Sequence, residues 1–136
     1  MRSFLDTNVL VYLADARNPR KQSIAEKYVE GAIAERLDCR ISVQTLTEFT
    51  NVRIKKLKLD KNVISVFLDY FDDLQMVRTD SVSVKNALEI KARYNIQFYD
   101  AMMISTASES GCDEILSEDL NDGQNYDGVV AHNPFK

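Results

Sequence analysis

Apolar positions recur along the chain in two alternating rhythms. Short apolar runs read as strands at residues 2–5, 39–43, 74–78, 114–116 and 129–131. Between them, apolar residues return every three or four positions, as helices require. A short helix or turn is expected over residues 7–15. Asn18-Pro19 breaks the chain, and helical spacing follows over 20–37 through Ile24, Tyr28, Ala32 and Ile33. A helix over 45–59 places Leu46, Phe49, Val52 and Leu57 on or near one side. Asp60 can cap a further helix to about Phe71, and Asp80 or Ser81 opens another to about Tyr94. A last helix over 99–110 is closed by Gly111 as a C′ residue.

Strands alternating with helices predict an α/β fold, with a central, mostly parallel sheet of four to five strands flanked by helices. The 136 residues predict one domain, 1–136. The sequence contains no repeat and no Ser/Pro linker. Its 45% hydrophobic and 28% charged composition is that of an ordinary globular chain. The longest apolar run, residues 9–13, is far too short to cross a bilayer. No leader with a cleavage site precedes Asp6, and Cys39 and Cys112 make no disulfide framework; a cytoplasmic protein is expected. The net charge of −4 argues against a bulk electrostatic grip on nucleic acid. It leaves room for a site built from carboxylates, whose bound metal ions invert the local sign.

In a parallel sheet, ligands collect beyond the carboxyl ends of the strands. Asp6 ends the first strand, Glu48 follows the second and Asp119 follows the fourth. Asp100 sits in the first turn of a helix, with no clear strand before it. Each acid has an ordinary explanation: Asp6 and Asp100 as helix-start residues, Glu48 as a solvated helix residue, Asp119 as a turn residue. Three acids after three strands, with a fourth at a helix start, point instead to a shared site. Clustered carboxylates take up protons or demand a cation. Hard divalent cations such as Mg²⁺ and Mn²⁺ suit oxygen ligands, and they activate water against a phosphodiester.

Other chemistries fit poorly. The one histidine, His132, reads as a surface or tail residue, and no nucleophile elbow accompanies it. Two separated cysteines cannot build a zinc site and read as packed apolar groups. There is no phosphate-binding glycine loop with its lysine and no G-x-G-x-x-G.

The sequence resembles the PIN-domain ribonucleases, and within them the VapC-type toxins, over essentially its whole length. Phe4-Leu5-Asp6-Thr7-Asn8-Val9-Leu10 is similar to the family's first acidic motif and Thr45-Leu46-Thr47-Glu48-Phe49 to its second. Tyr99-Asp100-Ala101-Met102-Met103-Ile104 resembles the third. Leu116-Ser117-Glu118-Asp119-Leu120-Asn121-Asp122-Gly123, with Asn133-Pro134-Phe135, resembles a form of the fourth. The resemblance implies a PIN-like fold, Mg²⁺- or Mn²⁺-dependent endonucleolytic cleavage of RNA, a homodimer and an inhibitory antitoxin partner. It implies that Asp6, Glu48, Asp100 and Asp119 form the metal site, that Thr7 and Ser117 orient those carboxylates, and that Asn8 positions the Asp6 loop. Many members carry another acid two residues beyond the fourth; here that place is Asn121, and the adjacent Asp122 can substitute, so both are counted with Thr7, Asn8 and Ser117 among the expected cofactor-binding residues.

An acidic chain that cuts RNA needs local positive charge. Arg53, Lys55, Lys56, Lys58 and Lys61 form the densest run, readable as a phosphate-contacting edge or as a solvated face. Arg17, Arg20 and Lys21 form a weaker candidate. Tyr94, Phe98 and Tyr99 precede Asp100, and core or interface packing is the preferred reading over base stacking. The apolar segment 63–71 is either core or part of a groove for a partner helix. Two alternatives stay open: another Mg²⁺-dependent phosphoryl hydrolase, against which Asn8 counts because such enzymes commonly carry a second Asp there, and a PIN-like RNA-binding module without cleavage.

Overall fold

Four short polar side chains turn incoming segments into helices. In the computed structural model, which describes residues 1–136 except Leu57 and the side chains of Arg53 and Ile54, Asp6 accepts from the Thr7 N–H and starts α1 (Thr7–Leu13). Asn18 accepts from the Lys21 N–H, with Pro19 at the first helical position of α2 (Pro19–Ile33). Asp60 caps α4 (Lys61–Phe71) through the Asn62 N–H. Asp80 and Ser83 form a reciprocal capping box at α5 (Ser81–Tyr94). Each satisfies backbone donors that a helix start leaves without partners. The remaining helices are α3 (Val43–Lys56) and α6 (Phe98–Glu109).

The strands are β1 (Arg2–Leu5), β2 (Asp38–Ser42), β3 (Gln75–Val77), β4 (Glu114–Leu116), β5 (Asn125–Tyr126) and β6 (Val129–His132). They lie in the order β3-β2-β1-β4-β6-β5, every pair parallel except the β5–β6 hairpin. The six strands exceed the expected four to five by the short β5. Its turn, Asp127-Gly128, has φ of 52° and 93°, the left-handed geometry that an Asp-Gly pair tolerates in a tight hairpin. The chain runs outward from β1 through β2 to β3, then crosses back to lay β4 on the other side of β1. The carboxyl ends of β1 and β4 therefore flank the point where the winding reverses, the usual crevice of an open parallel sheet.

Alternation along β1 and β4 divides the core. Phe4 and Ile115 join Ala101, Ile104 and Ala107 of α6 on one face. Leu5 and Leu116 join Val9, Leu10, Val29, Phe49 and Phe71 on the other. Some boundaries differ from the sequence reading. The second helix ends at Ile33, and Glu35 follows at φ 60°. The third begins at Val43, two residues before the expected Thr45. The expected place of Leu57 on that helix lies outside the described residues.

Phe49 is fully buried, with its ring 5.0 Å from that of Phe71 and 6.0 Å from that of Phe67. It anchors α3 one residue from Glu48. Replacing Phe49 by Ala should cost about 3–5 kcal/mol, read as a fall in the urea midpoint at constant slope. A loss under about 1 kcal/mol would mean that the aromatic cluster does not secure α3.

Candidate active site

The carboxyl ends of β1 and β4 are joined through side chains. Asp6, only 8% exposed, accepts from the Thr7 N–H at 2.6 Å and from Ser117 Oγ at 2.7 Å. Ser117 Oγ in turn accepts from the Asp119 N–H at 3.0 Å. Asn8 Nδ2 faces Asp6 Oδ2 at 3.3 Å, Asp119 Oδ2 at 3.2 Å and Ser117 Oγ at 3.4 Å. Three acceptors fix which end of this amide points inward, since turning it would set Oδ1 against carboxylate oxygen. The cost is a buried Asn8 Oδ1 without a partner among the described residues.

Glu48 comes to the same place from α3. Its Oε2 accepts from Thr7 Oγ1 at 2.9 Å and its Oε1 from Gln44 Nε2 at 2.8 Å. Gln44 Nε2 also reaches the Tyr99 carbonyl at 3.3 Å, which ties α3 to the first turn of α6, where Asp100 stands. Sequence reasoning passed over Gln44. The available signal was its position four residues before Glu48, the spacing at which helix side chains meet.

The electrostatics join all four acids. Burial pushes the Asp6 carboxyl up to about 7, with the charges of Asp119 and Glu48 adding to the rise and the Ser117 and Thr7 hydrogen bonds opposing it. Asp100 is also raised, first by burial and then by Asp119 and Glu48. The structure thus brings together Asp6, Glu48, Asp100 and Asp119, with Thr7, Asn8 and Ser117 bonded among them.

Asn121 and Asp122 stand apart. Asn121 bonds Gln124, and Asp122 accepts from the Asn133 N–H and Lys136 Nζ, which hold its carboxyl below the usual range. Asp122 therefore secures the C-terminal segment and does not supply the extra acid at the site. The candidate basic edge of Arg17, Arg20 and Lys21 is likewise committed elsewhere. Arg17 pairs with Asp15, and Arg20 donates to the Phe135 carbonyl. Lys21 donates to Glu118 at 2.9 Å and to the Tyr12 hydroxyl at 3.0 Å, and that hydroxyl donates to Glu118 at 2.5 Å. This group, closed by the Phe135 ring 4.9 Å from that of Tyr12, steadies the loop carrying Asp119. Lys55, Lys56, Lys58 and Lys61 are exposed and make no ion pair among the described residues; the Arg53 side chain lies outside them. His132 is exposed, and Cys39 and Cys112 are free and buried.

Among the described residues, no three Asp, Glu, His or Cys side chains already close into a metal cage. The donor set nevertheless fits a hard divalent cation. It offers only carboxylate groups, two of which, Asp6 and Asp100, have proton affinity raised by burial and by neighbouring like charge. Mg²⁺ ordinarily takes one or two carboxylates and keeps water in its other positions.

Comparison with known proteins agrees with this architecture. The family model for the PIN domain matches residues 3–122. A DNA-bound VapBC from Salmonella typhimurium superposes with a TM-score of 0.70 at 20% identity, covering 97% of both chains. A toxin–antitoxin complex from Klebsiella pneumoniae gives 0.66 at 19% identity, again covering 97% of both chains. VapC20 of Mycobacterium tuberculosis, described as a toxin cleaving the sarcin–ricin loop, gives 0.65 at 14% identity, with 86% of this chain and 91% of that one covered. No curated protein matches the sequence.

The raised Asp6 carboxyl has a measurable consequence. In the unfolded chain Asp6 ionises near its ordinary value of 3.8, whereas in the fold it ionises near 7. The native state therefore holds its proton where the unfolded state has released it. Stability from this group is full below about pH 4 and falls as pH rises toward 7. In metal-free buffer, Asp6→Asn should gain stability relative to wild type between pH 5 and pH 8, by a few kcal/mol, with melting temperature as the readout. A constant difference across that range would mean that Asp6 ionises normally.

Proposed function

The chain belongs to the PIN-domain family, and on that premise we propose that it is a Mg²⁺- or Mn²⁺-dependent endoribonuclease, the VapC-type toxin of a toxin–antitoxin pair. The observation that carries this reading is the electrostatic joining of Asp6, Glu48, Asp100 and Asp119 at the point where the sheet reverses its winding. Residues 1–136 act as one catalytic unit. These four carboxylates would hold the cation, which when bound lowers the pKa of water and neutralises charge developing on a phosphodiester.

The chain's own residues supply the geometry. Ser117 and the Thr7 backbone hold both oxygens of Asp6, while Thr7 Oγ1 and Gln44 hold both oxygens of Glu48. Asn8 keeps Asp6 and Asp119 at a fixed separation. Such outer contacts set carboxylate orientation, the ordinary second requirement of a metal site. Asp100 receives no hydrogen bond from a side chain among the described residues, and its proton affinity is raised. It is the carboxylate best placed to take a proton during hydrolysis. The observed role of Asn8, a donor between two acids, counts against a phosphatase that needs an acid there.

The antitoxin and homodimer readings belong to this proposal too. Support for the antitoxin comes from the neighbours in the fold, which are described as VapBC and toxin–antitoxin complexes; the homodimer rests on the family resemblance alone.

Purified wild type should cut a mixed cellular RNA pool into discrete fragments with Mg²⁺ or Mn²⁺ and leave it whole in EDTA. Asp100→Asn should slow cleavage at least about 100-fold while still binding RNA. A folded, partner-free wild type that binds RNA without cutting it under either metal would favour the non-catalytic module instead.

A further inference from the structure

Of the six tyrosines and six phenylalanines, only Tyr99 is exposed; the others are buried or half-buried. The residue is 67% exposed, and its hydroxyl has no partner among the described residues. This open ring adjoins Asp100. Its backbone is fixed, because the Tyr99 carbonyl accepts from Gln44, which also grips Glu48. The ring has support from behind: Phe98 packs on the core and sets its own ring 6.0 Å away at 68°. A supported aromatic ring with few torsions loses little entropy when a ligand covers it.

The surroundings select the occupant. An aromatic that belongs to a protein interface normally sits within an apolar patch. Tyr99 is flanked by exposed Gln97 and by Asp100, with Gln44 and Glu48 across from it. On α3, Glu48 and Lys55 are seven residues apart, so they share a face and lie ~10 Å apart along the axis. An exposed lysine on the face that begins at the carboxylates suits a phosphate further along the same strand.

We propose that Tyr99 is a stacking platform for an unpaired base of single-stranded RNA, which sets the adjoining phosphate at the Asp100 carboxylate. This rests on the ribonuclease reading and adds to it the side chain that holds the base next to the site. Bases in a duplex are already stacked on one another and offer no free face, whereas bases in loops and ends do.

The test uses a single-stranded oligoribonucleotide carrying 2-aminopurine, with a duplex of the same length alongside. Binding is measured in the Asp6→Asn background, and cleavage in the otherwise wild-type chain. Tyr99→Ala should weaken single-strand binding about tenfold, equivalent to ~1.4 kcal/mol, within the range for one stacked base. It should also abolish the stacking quench of 2-aminopurine and raise KM about as much, with kcat within about twofold. Tyr99→Phe should retain all three properties, and duplex binding should respond to neither variant. Because the side chain is exposed, the melting temperature should not move. An unchanged single-strand Kd, quench and KM in Tyr99→Ala overturns the stacking role alone. Unchanged RNA affinity with weakened self-association also overturns it and reassigns the ring to a protein interface. A wild type that neither binds nor cuts RNA overturns the ribonuclease reading and the stacking with it.

Discussion

The bond from Ser117 Oγ to Asp6 Oδ2, 2.7 Å long, joins residues 111 positions apart. Most of the site's geometry depends on it. It holds the end of β1 to the end of β4, where the sheet reverses its winding. It also gives that buried carboxylate oxygen its shorter hydrogen bond, the other being from Asn8 Nδ2 at 3.3 Å. The same hydroxyl receives the Asp119 N–H, so one small side chain orients two acids. The backbone continues the link, because the Asp6 N–H donates to the Leu116 carbonyl at 3.1 Å. A buried carboxylate is costly even when hydrogen-bonded, and here Asp119 and Glu48 add like charge. Nothing in packing alone favours such an arrangement. Its retention in the crevice is the physical reason to read the site as functional.

The helices divide their faces between core and chemistry with little slack. On α3, Phe49 is sealed in the aromatic cluster while Glu48 and Gln44 face the acids. On α6, Ala101, Met103, Ile104 and Ala107 are buried, and Asp100 is left half-buried in the first turn. A rigid packed core on both sides of the sheet therefore sets where the carboxylates stand. Strong mutual repulsion among acids requires this, since a loosely held group would move apart.

Much of this was legible from sequence because the signals were local. Asp6, Asp60 and Asp80 cap helices that the apolar spacing already indicated, and acids after strand ends mark the crevice of a parallel sheet. What escaped depended on contacts between distant segments. The Tyr12–Lys21–Glu118 group joins residues about a hundred positions apart, so Lys21 looked like free positive charge when it is bound in the fold. Asp122 looked like a spare acid, yet the C-terminal Asn133 and Lys136 claim it. Gln44 lay within reach of helical spacing, but its second contact, to the Tyr99 carbonyl, exists only because α3 packs beside the start of α6. The strand β5 had a local mark in Asp127-Gly128, and two residues are too short for a hydrophobic pattern to reveal.

The net charge of −4 acquires a different meaning once position is considered. Acids concentrated at the crevice would repel a polyanion, and positive charge beside them would be neutralised, as Lys21 is by Glu118. Lysines that serve a phosphate backbone must therefore stand beyond the reach of those acids. Lys55 and Lys56 meet that condition: they are exposed and free of ion pairs among the described residues. They lie on the helix that carries Glu48, at its far end. The helix converts sequence distance into a fixed offset of ~10 Å, about one Debye length at moderate salt. On the proposed ribonuclease reading, that offset lets attraction for a phosphate backbone and tolerance of clustered acids coexist on one element.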